Sequence, residues 1–134
     1  MKAIMKQTVL WGVMSLGLLA ATSPASAHHS FAPFDLRAQK TVTGTVKQVD
    51  WTNPHTWVWV DVPNDQGGVD TWGFEGMSPN YLARRGWTKS TLKPGDRISV
   101  AFRPLRDGSK GGSFMSATLP DGRVLTMTGA PTDR

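Results

Sequence analysis

The chain has 134 residues, no cysteine and a formal net charge of +5. The lack of cysteine excludes a disulfide scaffold and a lipid-modified N-terminal cysteine, and the length suits one small domain. The basic residues are scattered, with only Arg84 and Arg85 adjacent, so the charge does not indicate a nucleic-acid-binding tail.

The first 27 residues have the composition of a secretory signal. Lys2 and Lys6 precede an uncharged apolar run over residues 8–21, and Ala25-Ser26-Ala27 forms a small-residue cleavage site. The run is shorter than the ~20 residues that span a bilayer, so cleavage after Ala27 and no membrane span afterwards are expected. We therefore predict a periplasmic or secreted protein whose formal charge falls to +3 when the two lysines are removed.

The first half of the mature chain alternates as strands do. Strands are predicted over residues 41–51, 55–62 and 69–75, with a turn-rich loop at residues 64–68 between the last two. Gly44 inside the first strand suggests a bulge or a sharp bend.

A short helix follows at residues 78–86, with Ser78 as N-cap, Pro79 at the first helical position, basic residues in the last turn and Gly86 after it. Further strands are predicted over residues 97–103, 113–119 and 124–128, and residues 107–112 are predicted as a loop. Three strands, a helix and then two or three strands predict an all-β protein with one short helix. We expect a small OB-like β-barrel of five to six strands, with another small barrel or sandwich as the alternative.

Four segments are therefore expected. They are a cleavable signal peptide over residues 1–27, an N-terminal segment over residues 28–40, the barrel domain over residues 41–129 and a frayed tail over residues 130–134.

All three histidines lie after the cleavage site, and cleavage makes His28 the new N-terminus. The α-amine and imidazole of His28 could chelate copper or another transition metal, such as zinc, with His55 supplying a third nitrogen. A competing copper site uses the amine, the intervening amide and His29. The alternative is a polar, mobile terminus, with His55 hydrogen-bonded to a turn carbonyl.

The second candidate site is aromatic. Alternation along the second strand places Trp57 and Trp59 on one face and Val58, Val60 and Val62 on the other. If the valines form the core, the tryptophans face outward and need a cover. That cover could be a ligand, a partner protein, or the N-terminal segment through Phe31 and Phe34; alternatively, the tryptophans point inward or pack on the helix.

The sequence has no G-x-S-x-G, P-loop, dinucleotide or H-E-x-x-H motif, and Glu75, the only glutamate, is assigned no role. Binding is therefore favoured over catalysis. The first hypothesis is a metal-binding module using His28, His29 and His55. The second is an interaction module that holds an unknown partner protein or small ligand on Trp57 and Trp59. Nucleic acid is disfavoured because the mature chain is only weakly basic.

Five short motifs occur in a characteristic order: residues 28–31 (HHSF), 51–54 with His55 (WTNPH), 84–87 (RRGW), 92–96 (LKPGD) and 119–123 (LPDGR). As a set they resemble the DUF6152 family of small exported bacterial proteins of unknown function. The resemblance covers nearly the whole mature chain. It implies no activity and no set of binding or catalytic residues.

Overall fold

The computed structural model describes residues 31–127, which form six strands and one short helix. The predictions for the signal peptide, His28, His29 and the tail at residues 130–134 lie outside the described residues. Within residues 31–127, no helix is both long and apolar enough to cross a bilayer. The elements in chain order are β1 (Lys40–Asp50), β2 (Trp57–Pro63), β3 (Val69–Glu75), α1 (Pro79–Ala83), β4 (Arg97–Pro104), β5 (Gly111–Thr118) and β6 (Val124–Thr126).

The strands close into a five-stranded barrel with one additional strand. The hydrogen-bonded order is β3-β2-β1-β4-β5-β6, and a parallel pairing of β3 with β5 closes the ring. The helix lies between β3 and β4 in the chain. This arrangement confirms the predicted OB-like barrel.

The parallel pairing of β3 and β5, called the seam below, depends on glycine. Gly73 and Phe74 pair with Gly111 and Gly112. Gly111 has a φ of +145°, and a Cβ atom there would lie 2.1 Å from the carbonyl oxygen of Gly73. The prediction that residues 107–112 form a loop is therefore wrong at its end, because the last two glycines are strand residues that let two backbones approach.

A buried cluster fills the barrel, and the inward residues of β2 and β4 contribute to it in alternation. Leu82 of α1 is fully buried in the same cluster, so the helix closes one part of the core. The largest fully buried side chains are Phe74, Phe102, Leu82, Ile98, Leu125, Val46, Val58, Val60, Val100 and Thr56.

Two local predictions are corrected. The register of β1 against β2 shifts between Val46 and Gln48, so the bulge lies there and not at Gly44. A Cβ atom on Gly44 would lie 2.4 Å from the carbonyl oxygen of Asp61, so Gly44 permits close strand approach. The helix ends at Ala83, earlier than predicted, and Arg84 is its C-cap.

Candidate functional site

The two faces of β2 differ as the alternation predicts. Val58 and Val60 are 1% and 0% exposed and belong to the core. Trp57 and Trp59 are half-buried on the outer face, and their rings stack with centroids 5.5 Å apart and an interplanar angle of 16°. The tryptophans therefore form an aromatic pair on the outside of the barrel.

The ring of Trp59 is held in place on both sides. Its Nε1 donates a hydrogen bond of 2.7 Å to Oδ2 of Asp50 on β1. On the other side the ring covers Gly73 on β3, where a Cβ atom would lie 2.6 Å from Cζ3 of the indole. Trp59 therefore spans three strands and shields the backbone beside the seam.

Trp57 lies between two carboxylates. In the strand register it pairs with Asp50 on β1 and with Glu75 on β3. Directly opposed residues share one face of a sheet, with Cβ atoms about 4.5–5.5 Å apart. Asp50, Trp57 and Glu75, called the Trp57 row below, therefore place one indole ring between two acidic side chains, all three half-buried.

His55 is fixed beside this row. Its Nδ1 lies 3.0 Å from Oε1 of Glu75 and 3.1 Å from the carbonyl oxygen of Gly76. The side chains of His55 and Glu75 are 23% and 25% exposed. Both neighbours of Nδ1 are acceptors, so the tautomer that carries its proton on Nδ1 satisfies them.

The other end of the outer face has its own polar network. Thr71 Oγ1 donates a 2.6 Å hydrogen bond to Oδ1 of Asp61, and Nζ of Lys47 donates to Thr71 Oγ1 at 3.0 Å. The Lys47 ammonium also lies 3.8 Å from Oδ1 of Asp61. The positive charge of Lys47 is therefore directed toward Asp61.

Among the described residues, the carboxyl groups with a shifted pKa are Asp70, near the start of β3, and Asp107 and Asp121, which lie in turns. A hydrogen bond from Lys110, helped by one from Asn64, holds the pKa of Asp70 below its ordinary value. The carbonyl of Lys110 also accepts from the amide of Gly73, so this pair adjoins the seam. The pKa of Asp107 is lowered chiefly by the backbone amide of Ser109, and the pKa of Asp121 chiefly by the side chain of Arg123.

Only one of the three predicted metal ligands, His55, is among the described residues. Within residues 31–127, no group of three or more His, Cys, Asp or Glu side chains is arranged to hold a metal ion. The structure brings His55, Trp57 and Trp59 together on one side of β2 and of the segment that precedes it.

The part of the N-terminal segment that the structure describes is bonded to the end of β4. Phe34 forms a backbone bridge with Leu105 and is buried there, while Asp35 donates its amide to the carbonyl of Pro104. Phe31 is 54% exposed. Among residues 31–127, the ring contact of Trp57 is with Trp59.

A depression away from the Trp57 row lies between the loop after α1 and the β5–β6 turn, with a volume of about 380 Å³. Two of its polar lining side chains already accept hydrogen bonds from nearby backbone amides: Asp96 from the amide of Lys93, and Thr91 from the amide of Thr88. The Trp57 row, with its aromatic ring between two carboxylates, is the stronger candidate site.

Asp50, Glu75 and Gly73 have no role in the sequence-based predictions. A usable signal was present, because the loop at residues 64–68 predicts a β2–β3 hairpin whose register sets Glu75 opposite Trp57 and Gly73 opposite Trp59. Extending the alternation of each strand across that hairpin would have revealed both neighbours.

A family model described as a family of unknown function (DUF6152) matches residues 15–115. The matched range includes the Trp57 row and His55. No curated protein and no solved structure gives a significant match.

Proposed function

The chain belongs to the DUF6152 family, and because membership assigns no activity, we propose that it is an exported binding module whose small-molecule ligand packs on the ring of Trp57. The carrying observation is the Trp57 row, in which a half-buried indole stands between Asp50 and Glu75. OB barrels commonly bind ligands on the face formed by their second and third strands. The Trp57 row lies on that part of the barrel.

Export is proposed from the sequence. The two lysines, the apolar run over residues 8–21 and the small residues before His28 have the order of a cleavable signal. A periplasmic or secreted location would give the module access to small molecules outside the cytoplasm.

Trp57, more than Trp59, is assigned to the ligand. The Trp59 ring covers Gly73, and its Nε1 is already bonded to Asp50. Trp59 thus supports the site by fixing both a carboxylate and the ring on which Trp57 stacks. A pre-positioned aromatic ring with oriented acceptors suits recognition, because less freedom is lost on binding.

The proposal is tested by titrating the purified exported protein with choline, maltose and citrate, which represent cationic, neutral and anionic small molecules. The indole N–H resonance of Trp57 should move with at least one of them. The resonance of Trp87, a buried residue whose Nε1 donates to the carbonyl of Thr126, serves as an internal reference.

Two variants complete the test. Trp57→Ala should abolish the response, while Phe31→Ala removes an exposed aromatic ring elsewhere and should leave it intact. The proposal fails if none of the compounds moves the Trp57 resonance, or if Phe31→Ala weakens binding as much as Trp57→Ala.

A second candidate function is binding of copper or another transition metal by His28, His29 and His55. It is favoured by the contacts of His55 Nδ1 with Glu75 and the carbonyl of Gly76. Metal-bound histidines almost always donate their other ring N–H to a carboxylate or backbone carbonyl. The contacts of His55 Nδ1 have this arrangement, which supports its assignment as a metal ligand.

A further inference from the structure

We propose that the ligand of the Trp57 row is a small organic cation, an alkylated ammonium compound. This inference rests on the proposed function, since it names the chemical class bound at the same site. The relevant observation is that the ring of Trp57 has a carboxylate opposite it on each neighbouring strand.

The charges around Trp57 favour a cation. The face of an indole ring attracts cations through its quadrupole, and tryptophan is the best of the aromatic side chains in this respect. Asp50 and Glu75 add two formal negative charges at the ring's edges. An anion would meet repulsion from both carboxylates, and a neutral ligand could use them only as hydrogen-bond acceptors.

The neighbouring cations are engaged elsewhere. Lys47 contacts Asp61 and Thr71, and Lys110 lies 2.7 Å from Oδ2 of Asp70. Among the described residues, no lysine or arginine forms an ion pair with Asp50 or Glu75. His55 contacts Glu75 through Nδ1, and even a protonated His55 offsets only one of the two carboxylates, so the row keeps a net negative formal charge. The Trp57 row is thus a local acidic site on a chain of net positive charge.

The spacing favours an organic ion over a bare metal ion. Asp50 and Glu75 lie on the strands on either side of β2, so their backbones are two strand spacings apart, roughly 9–10 Å. A bare metal ion needs its ligand oxygens to converge within about 2.0–2.6 Å, and within residues 31–127 no group of three or more His, Cys, Asp or Glu side chains is arranged to hold one. An ammonium group with alkyl substituents can instead cover the ring between the two carboxylates and present its methyl hydrogens to both.

The site is bounded in both directions. Along β2, the stacked ring of Trp59 lies on one side of Trp57, and His55 precedes it on the other. Across the sheet, the two carboxylates form the borders. The ring of Trp57 within these borders has room for a single ammonium group. We therefore propose a small molecule as the ligand.

The test compares choline with 3,3-dimethylbutan-1-ol, which has the same shape but carries no charge. Binding is measured by calorimetry and by the indole N–H resonance of Trp57 in the purified exported protein. Choline should bind at least about tenfold more tightly than the alcohol, since the cation–ring and carboxylate attractions act only on the charged compound.

Charge variants locate the effect. Asp50→Asn and Glu75→Gln should each weaken choline binding several-fold. Asp65→Asn removes the same charge from the exposed β2–β3 loop and should change binding little. Thermal melts of all three variants establish that each is folded, and the two row variants provide independent measurements.

The outcomes separate this inference from the proposed function. Equal binding of choline and the alcohol would overturn the cationic ligand, as would an Asp65→Asn effect equal to that of Asp50→Asn. If maltose or citrate moves the Trp57 resonance and choline does not, the proposed binding face stands and the cation is wrong. If no compound moves it, both proposals fail.

Discussion

The indole ring of Trp59 lies over Gly73 on the adjacent strand, so closely that a Cβ atom on Gly73 would stand 2.6 Å from Cζ3 of the ring. The two residues are direct partners in the β2–β3 register. The Trp59 ring thus occupies the space that a side chain on Gly73 would fill. This contact fixes the ring of Trp59 in the aromatic pair. The position of the ring therefore depends on glycine at residue 73.

Gly73→Ala should destabilise the protein by about 1–3 kcal/mol, because the added methyl group forces the Trp59 ring or the strand to move. Urea unfolding measures the change. Gly68→Ala is the matched control, since a Cβ atom there meets only Asn64, at 3.6 Å. In the Gly73→Ala background, Trp59→Ala should cost less than it does alone; strict additivity would mean that the two residues do not interact.

Trp57→Ala should weaken ligand binding while leaving the fold largely intact, because the side chain is half-buried on the outer face. Val60→Ala should instead lower the free energy of unfolding by about 1–3 kcal/mol, as truncation in a core does. Thermal melts compare the two variants. If Trp57→Ala is the more damaging, the tryptophan is a structural residue and the binding face is wrong.

Export should remove the first 27 residues. N-terminal sequencing of protein recovered from the periplasm or medium should begin at His28, because Ala25-Ser26-Ala27 meets the small-residue requirement of signal cleavage. A terminus at any other position would eliminate the copper site that depends on the amine of His28.

Copper binding distinguishes two sites. If His55 joins the terminus, His55→Ala should strongly reduce Cu(II) affinity and copper should raise the melting temperature, since the ion then binds only the folded state. Glu75→Gln should also weaken binding by disturbing the carboxylate that contacts His55 Nδ1. If the amine and His29 suffice, neither substitution should matter, and copper should leave the melting temperature unchanged.

The control for this measurement is one alanine added before His28. Both sites should then lose affinity, because the histidines change position relative to the amine. Calorimetric titration of the wild type, His55→Ala and the extended variant provides the comparison. Equal, weak binding by all of them would contradict a specific metal site.

Asp70 should titrate below its ordinary pKa of 3.8, because Lys110 and then Asn64 hydrogen-bond to its charged form. A lowered folded-state pKa means that Asp70 stabilises the fold above its unfolded-state pKa, and that this contribution is lost as the pH falls through the folded-state value. Carboxyl NMR measures the titration. Lys110→Met should raise the pKa of Asp70, whereas Lys89→Met, which removes an exposed lysine elsewhere, should not.

Much of the fold follows from local pattern. The alternating residues of β3 and β4 and the capping signals of Ser78 and Pro79 act within a few positions of the chain, so they are visible in the sequence. The seam is different. Gly111 and Gly112 have the composition of a loop, and only their pairing with a distant strand makes them strand residues.

In the candidate site, too, some features follow from local sequence pattern and others depend on pairing between strands. The outward position of Trp57 follows from the two-residue period of a strand. Its acidic neighbours depend on the register with β1 and β3, and the Val46–Gln48 bulge shifts the register on the β1 side. Glu75 therefore looked like an isolated carboxylate, although pairing places it beside both His55 and Trp57.

The seam also bears on aggregation. While Gly73 pairs with Gly111, the backbone groups of β3 next to β5 are occupied within the molecule. Opening the seam would leave the outer edge of β3 and the start of β5 unpaired, and exposed strand edges are templates for pairing between chains. A side chain introduced at Gly111 or Gly112 should therefore make the protein prone to concentration-dependent self-association while most of the barrel is still folded.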